Sequence, residues 1–170
     1  MSELEHRIQR LEDRAELQDL VVKYFLASDD DDYEALAATF APDGTFSAGI
    51  FPGGEGREAV VECLRAGRKM MGPTIHTPDY TLFAFSDNNR ATGRVGAHLE
   101  LSIAGRTVFA AVRYFDEYVR IDGRWQFKRR EMRTIHAGPW EEVGSSLSTE
   151  LCVRWPGVDP MHSDFPKKPV

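Results

Sequence analysis

Five histidines are spread through the chain, at positions 6, 76, 98, 136 and 162. No two stand at the i, i+4 spacing of a helical zinc pair, and no close set of His, Cys and carboxylate residues surrounds any of them, so no metal site is expected. The two cysteines, Cys63 and Cys152, are far apart. Neither has a nearby histidine to activate it, and no nucleophile elbow occurs, so covalent catalysis is not expected. Gly53-Gly54-Glu55-Gly56 is glycine-rich. It lacks the Lys and Ser/Thr of a phosphate-binding loop and reads as a loop feeding a helix. What remains is acid–base chemistry in an apolar pocket, with no cofactor. The candidates are Asp29 and His76, because an imidazole can take a proton from carbon and a carboxylate can orient it. Taken alone, Asp29 also opens an acidic run, Asp29–Asp32, that would end a helix in solvent, and His76 also suits an ordinary strand. Their separation along the chain does not bring them together.

The elements that must position these residues are legible from periodicity. Leu17, Leu20, Val21, Tyr24 and Phe25 have the spacing of one helical face. Leu4, Ile8, Leu11 and Ala15 continue that apolar face backwards, and Ser2 with Glu5 fits a capping box, so a first helix is expected over 2–28, either unbroken or interrupted near Arg14. Tyr33, Leu36 and Phe40 give a short second helix. Pro42-Asp43-Gly44 is a turn, after which Thr45-Phe46-Ser47 can begin a strand. A helix over Arg57–Met71 stops at Gly72-Pro73. The second half reads as long strands over Thr74–Phe85, with Pro78 at an edge or bulge, then Arg90–Ile103, Thr107–Ile121 and Trp125–Ile135. Asp122-Gly123 is a strong hairpin signal. Helices followed by an antiparallel meander argue for an α+β fold.

At 170 residues the chain can bury one core unaided. With 42% hydrophobic and 28% charged residues, its composition is that of an ordinary soluble protein. A net charge of -6 argues against a nucleic-acid surface, which needs a positive field. No run approaches a membrane span. The N-terminal segment MSELEHRIQRLEDR is charged throughout, unlike a signal peptide, and a cytoplasmic location with reduced thiols is expected.

The segment LQDLVVKYFLASDDDDYEALAATFAPDGTF, from Leu17 to Phe46, resembles the opening of a SnoaL-like domain, a branch of the NTF2-like superfamily. The helix, the Asp at its end, the short second helix and the acidic turn are most similar to the hexachlorocyclohexane dehydrochlorinase and scytalone dehydratase group. The resemblance runs from about Leu11 to Arg133. It implies a cone-shaped α+β barrel, N-terminal helices packed in a curved, mostly antiparallel sheet around a pocket. It places the helix-end Asp at Asp29, within LASD, and the catalytic His at His76, within PTIH, as a hydrogen-bonded dyad. It also implies that Arg130 lies in the cavity and helps a leaving group depart. Strict alternation puts Phe127, Arg129, Glu131 and Arg133 on one face of the last strand, and Lys128, Arg130 and Met132 on the other. The chain departs from the scytalone dehydratase pattern at Ser28 and over Phe46-Ser47-Ala48, where that pattern has two tyrosines holding a water.

Tyr24, Phe83, His98 and Tyr114 are the remaining pocket candidates. The implied function is a cofactor-independent lyase or isomerase acting on a small apolar cyclic substrate by dehydratase, dehydrohalogenase or ketosteroid-isomerase-like chemistry. Two alternatives stand beside it: a non-catalytic small-molecule-binding domain, and the small subunit of a ring-hydroxylating dioxygenase-type assembly. A homo-oligomer is expected, a trimer before a dimer, joined through the outer sheet face with Phe109, Phe115 and Trp125 as anchors. Residues 1–143 are read as the domain. Residues 144–170 are read as a tail whose large apolar groups, Trp155 above all, would pack on the pocket mouth or a neighbouring subunit.

Overall fold

The computed structural model describes residues 2–165. It opens with α1 (Glu3–Asp29), held at its start by the capping box. The Ser2 hydroxyl accepts the Glu5 amide at 3.2 Å, and the Glu5 carboxylate accepts the Ser2 amide at 2.7 Å. Leu17, Leu20, Val21, Tyr24 and Phe25 form its buried stripe. Asp31, with φ of 55°, breaks the helix, and the Asp32 side chain caps α2 (Tyr33–Thr39) by accepting the Ala35 amide at 2.9 Å.

The chain then runs β1 (Phe40–Ala48), β2 (Phe51–Glu55), α3 (Arg57–Arg68), β3 (Met71–Phe85), β4 (Arg90–Ile103), β5 (Arg106–Ile121) and β6 (Arg124–Pro139). A 3-10 turn, Trp140–Glu142, leads into the single-turn α4 (Val143–Ser146). The strands form one curved, open, mixed sheet in the order β2-β1-β6-β5-β4-β3. Every pairing is antiparallel except β1 with β6. This is the expected α+β, NTF2-like architecture, with the helices against the concave side.

The glycine-rich stretch expected to be a loop is instead the edge strand β2. A Cβ on Gly53 would lie 2.6 Å from the Phe46 carbonyl oxygen, and one on Gly54 would lie 2.5 Å from the Val60 amide nitrogen. The glycines let β2 press against both β1 and α3, a packing role that composition alone does not distinguish from loop flexibility.

Alternation along β6 also departs from expectation. Tyr118 pairs with Phe127 while Glu117 pairs with Arg129, so Lys128 is an extra, unpaired residue. This bulge reverses the phase of the strand. Phe127 and Arg130, expected on opposite faces, both point inward and are buried.

Trp125 is not an outer-face anchor. Its indole donates to Asp13 at 3.3 Å and its ring meets Phe85 edge-on at 6.0 Å, clamping α1 to the sheet. Asp13 is buried there between Arg10 and Arg120. Phe115 does lie on the outer face, stacked on Phe165 at 6.2 Å, and Phe109 lies beside His98.

The described part of the tail runs back along the edge of β6 that β1 leaves open. Ala137 donates to the Cys152 carbonyl at 3.0 Å and accepts the Arg154 amide at 2.8 Å, and Asp164 bonds Thr134 through both its amide and its carboxylate. Covering an open strand edge in this way blocks pairing with other chains. Trp155 is buried, edge-on to Phe51 of β2 at 5.7 Å. Residues 166–170, also counted in the tail, lie outside the described residues.

Two hairpin turns demand left-handed backbone. Asp122-Gly123 does so with φ of 50° and 76°, and Ala104-Gly105 with 51° and 75°. The alanine is the poor fit, because its Cβ crowds the carbonyl in that region at a cost of about 1 kcal/mol. Ala104→Gly is therefore expected to stabilise the protein by up to about 1 kcal/mol, read as a raised urea midpoint at unchanged slope.

Candidate active site

The C-terminal end of α1 meets β3 at Asp29. The Asp29 Oδ1 atom accepts the His76 Nδ1 proton at 2.6 Å and the Thr74 hydroxyl at 2.7 Å, and Oδ2 accepts the His76 backbone amide at 2.9 Å. Three bonds fix the carboxylate plane. Both side chains are largely covered, with 12% of His76 and 16% of Asp29 exposed. Burial by itself would raise the Asp29 pKa, but the hydrogen bonds from His76 and Thr74 outweigh it and hold the carboxyl below its ordinary value. A carboxylate can only accept, so Nδ1 carries the imidazole proton and Nε2 holds the basic lone pair.

Arg68, at the end of α3, extends this network. Its guanidinium donates to the Thr74 hydroxyl and to Asp31, each at 2.7 Å. Neither Thr74 nor Arg68 was singled out from the sequence. Thr74 carried a signal, since two residues before His76 on a strand is the same face. Arg68 carried none.

Phe25 lies one helical turn before Asp29. Its ring is stacked on that of His76 at 5.3 Å, and the Arg130 guanidinium is 5.2 Å from the same ring. Arg130 is 0% exposed. Its guanidinium is also 3.9 Å from the ring of Tyr114, 4.2 Å from Tyr24 and 4.4 Å from Phe127. These faces attract a cation, more so out of water. The anionic partner that a buried arginine requires is Asp116, directly opposite in the β5–β6 register, with Oδ1 at 3.8 Å from Nε. Asp116 Oδ2 accepts the Tyr118 hydroxyl at 2.8 Å. Among the described residues, Nε, Nη1 and Nη2 of Arg130 and Oδ1 of Asp116 have no hydrogen-bond partner.

The site thus brings together Asp29 and His76, with Tyr24, Tyr114 and Arg130 behind Phe25. Phe83 lies deeper, edge-on to Tyr118 at 5.7 Å in the Asp116 layer, where Gly93 makes room for both rings. His98 does not join them. It pairs across β3–β4 with Thr77, which follows His76 and faces the other way, and its ring lies 2.8 Å from the Asp79 carboxylate and stacks on Phe109 outside. Alternation left the facing of His98 undecided, and the register decides it.

Burial pushes Asp116 up to about 6, although Arg130 and the Tyr118 hydrogen bond pull the other way. The folded protein therefore holds this proton more tightly than the unfolded chain, whose carboxyl titrates near 3.8. Stability from this group is present below about pH 4 and falls as pH rises to about 6, by about 3 kcal/mol. Asp29, with a lowered pKa, works in the opposite sense, contributing stability above its unfolded value that is lost as pH falls. Asp116→Asn keeps the Asp29 slope and removes the other. Between pH 4 and pH 7 its stability relative to the parent is expected to improve by about 3 kcal/mol, measured by urea unfolding of both chains at each pH.

The protein is similar in structure to several of known architecture. A candidate scytalone dehydratase from Novosphingobium aromaticivorans is 25% identical, with a TM-score of 0.73 over 79% of this chain and 91% of that one. A hexachlorocyclohexane dehydrochlorinase, LinA type 2, is 20% identical, with a TM-score of 0.75 over 89% and 99%. The dehydrochlorinase LinA-type3 from Novosphingobium barchaimii LL02 is 21% identical, with a TM-score of 0.74 over 81% and 96%. No functionally curated protein matches the sequence. No helix among the described residues is long and apolar enough to cross a membrane. Residues 9–131, most of the chain, match the model of the SnoaL-like domain, and the protein belongs to that family.

Proposed function

We propose that the protein is a cofactor-independent lyase or isomerase in which His76 takes a proton from a small apolar cyclic substrate. Asp29 is its orienting partner, and Arg130 receives the negative charge that develops. The observation that carries this reading is the Asp29–His76 contact, in which the carboxylate holds Nδ1 and leaves Nε2 as the base. In the forward step Nε2 takes a proton from carbon, and the C–H electrons form an enolate or a new carbon–carbon double bond. In an elimination the leaving group departs with its bonding pair. The imidazolium that forms stands beside an ionised Asp29, which stabilises it.

Arg130 supports the same reading. Its buried nitrogens lack partners among the described residues, and such donors are satisfied by an anion or a developing oxyanion. Tyr24, whose hydroxyl burial pushes up to about 12, stays neutral and serves as wall or donor, as does Tyr114. The names of the structural neighbours, a dehydratase and dehydrochlorinases, both denote eliminations.

The test is incubation in deuterated water with cyclic ketones, cyclic β-hydroxy ketones and chlorinated cyclohexanes, followed by nuclear magnetic resonance. At least one class should exchange its activated hydrogen, or lose water or chloride, with the parent protein and not with His76→Ala. Calorimetric binding with neither exchange nor elimination in any class would instead make this a binding domain.

A further inference from the structure

α1 carries a second apolar stripe that the domain does not use. Leu4, Ile8, Leu11, Ala15, Gln18 and Val22 are all exposed, and their spacing alternates between four and three residues. At 3.6 residues per turn this stripe lies on the side of the helix opposite the buried one, and among the described residues no other element covers it. Exposed Leu26 extends it by one turn. Single exposed apolar side chains are ordinary on a protein surface, but a contiguous row along a helix is not.

We propose that this stripe binds a second copy of itself, as a parallel, in-register, two-stranded coiled coil of α1 helices. Ile8, Ala15 and Val22 occupy one of the two seam positions of the heptad, and Leu4, Leu11 and Gln18 the other. β-branched residues at the first position with leucine at the second favour two parallel strands. Gln18 interrupts the leucine position. A lone polar seam residue meets its own copy only in the parallel, in-register pair, and this sets register.

The flanking charges select the same arrangement. Arg7 and Arg14 border the stripe on one side, and Glu5, Glu12 and Asp19 on the other. In a parallel pair each arginine faces the acid five residues further along, so Arg7 meets Glu12 of the partner subunit and Arg14 meets Asp19 of the partner subunit. An antiparallel pair would set arginine against arginine and acid against acid. Arg7, Glu12 and Asp19 make no ion pair within the chain among the described residues. Arg14 reaches the Phe83 carbonyl at 3.4 Å, so the Arg7 pair makes most of the discrimination. From Asp13 onwards α1 is held by its packing on the sheet; before Asp13 it buries no residue, and Arg10 ties it to the Asp87 carbonyl at 3.3 Å.

The experiment is sedimentation of the full chain at micromolar concentration. The parent should associate, and Ile8→Glu with Leu11→Glu should halve its molar mass while leaving the circular dichroism spectrum of the protomer unchanged. Arg7→Glu alone should weaken association several-fold, and adding Glu12→Arg should restore it. A second measurement needs no destabilising change. In a Cys63→Ser background, Leu11→Cys should give a disulfide-linked dimer on mild oxidation, because seam positions of a parallel pair meet their own copies. Glu16→Cys, outside the seam, should not. A monomeric parent, an unchanged mass in the double glutamate variant, or equal cross-linking at 11 and 16 would overturn the proposal.

Discussion

Replacing His76 by alanine is expected to lower turnover by roughly 10²- to 10⁴-fold, the usual contribution of a general base, with the fold intact. The imidazole is largely covered, but its loss removes only the Nδ1 bond to Asp29 and not the backbone amide bond from position 76. Asp29→Asn should also cost activity. The amide cannot stabilise the imidazolium, and its NH₂ group would compete for the tautomer that leaves Nε2 basic. The two changes together should cost far less than the product of the single losses, because the residues act as a unit. Independent, multiplicative effects would rule out the dyad. Asp29, held below its ordinary value by its hydrogen bonds, should stay ionised beside the imidazolium that forms. Single-turnover rates of the three variants and the parent across pH make the comparison.

Arg130→Met is the substitution expected to harm stability most. Arg130 is fully buried, four aromatic rings surround its charge, and Asp116 is its counterion. Removing the guanidinium leaves a carboxylate in the core with only the Tyr118 hydroxyl for support. Breaking a buried pair from one side costs about 3–5 kcal/mol. Adding Asp116→Asn should recover a large part of that loss, because no charge then remains to be stabilised. Urea unfolding of the parent, both single variants and the double variant closes the cycle. Additive losses would mean that the two residues do not share their charge. The activity of the double variant separates the roles of Arg130. If the structure is restored and elimination stays slow, the guanidinium acts on the reaction and not only on the core.

Several of these residues are placed by the amino-acid order alone. The periodic face of α1 ends at Asp29 because the Asp29–Asp32 run cannot continue an apolar stripe. Apolar alternation and turn residues marked the strands of the second half. Such features are local: they depend on 3.6- and 2-residue repeats and on the few residues that tolerate a turn. The resemblance to SnoaL-like domains joined Asp29 to His76. Nothing in the intervening residues did so, since contacts between distant positions are made by packing.

What the tertiary structure alone decided is which way side chains face once strands are in register. One unpaired residue, Lys128, turned Phe127 and Arg130 to the same side and put Arg130 opposite Asp116. The pairing of β3 with β4 sent His98 outward while His76 faced in. Close approach of β2 to β1 and α3 made a strand of a glycine run that composition reads as a loop. Spacing alone joined Leu4, Ile8, Leu11 and Ala15 to the face of Leu17–Phe25, but the packed sheet leaves them exposed on the other side of α1, because a 4–3 spacing drifts around a straight helix. A period tells how residues are spaced along an element, whereas a bulge, a register or a packed neighbour sets its phase, and phase decides which groups meet in the site.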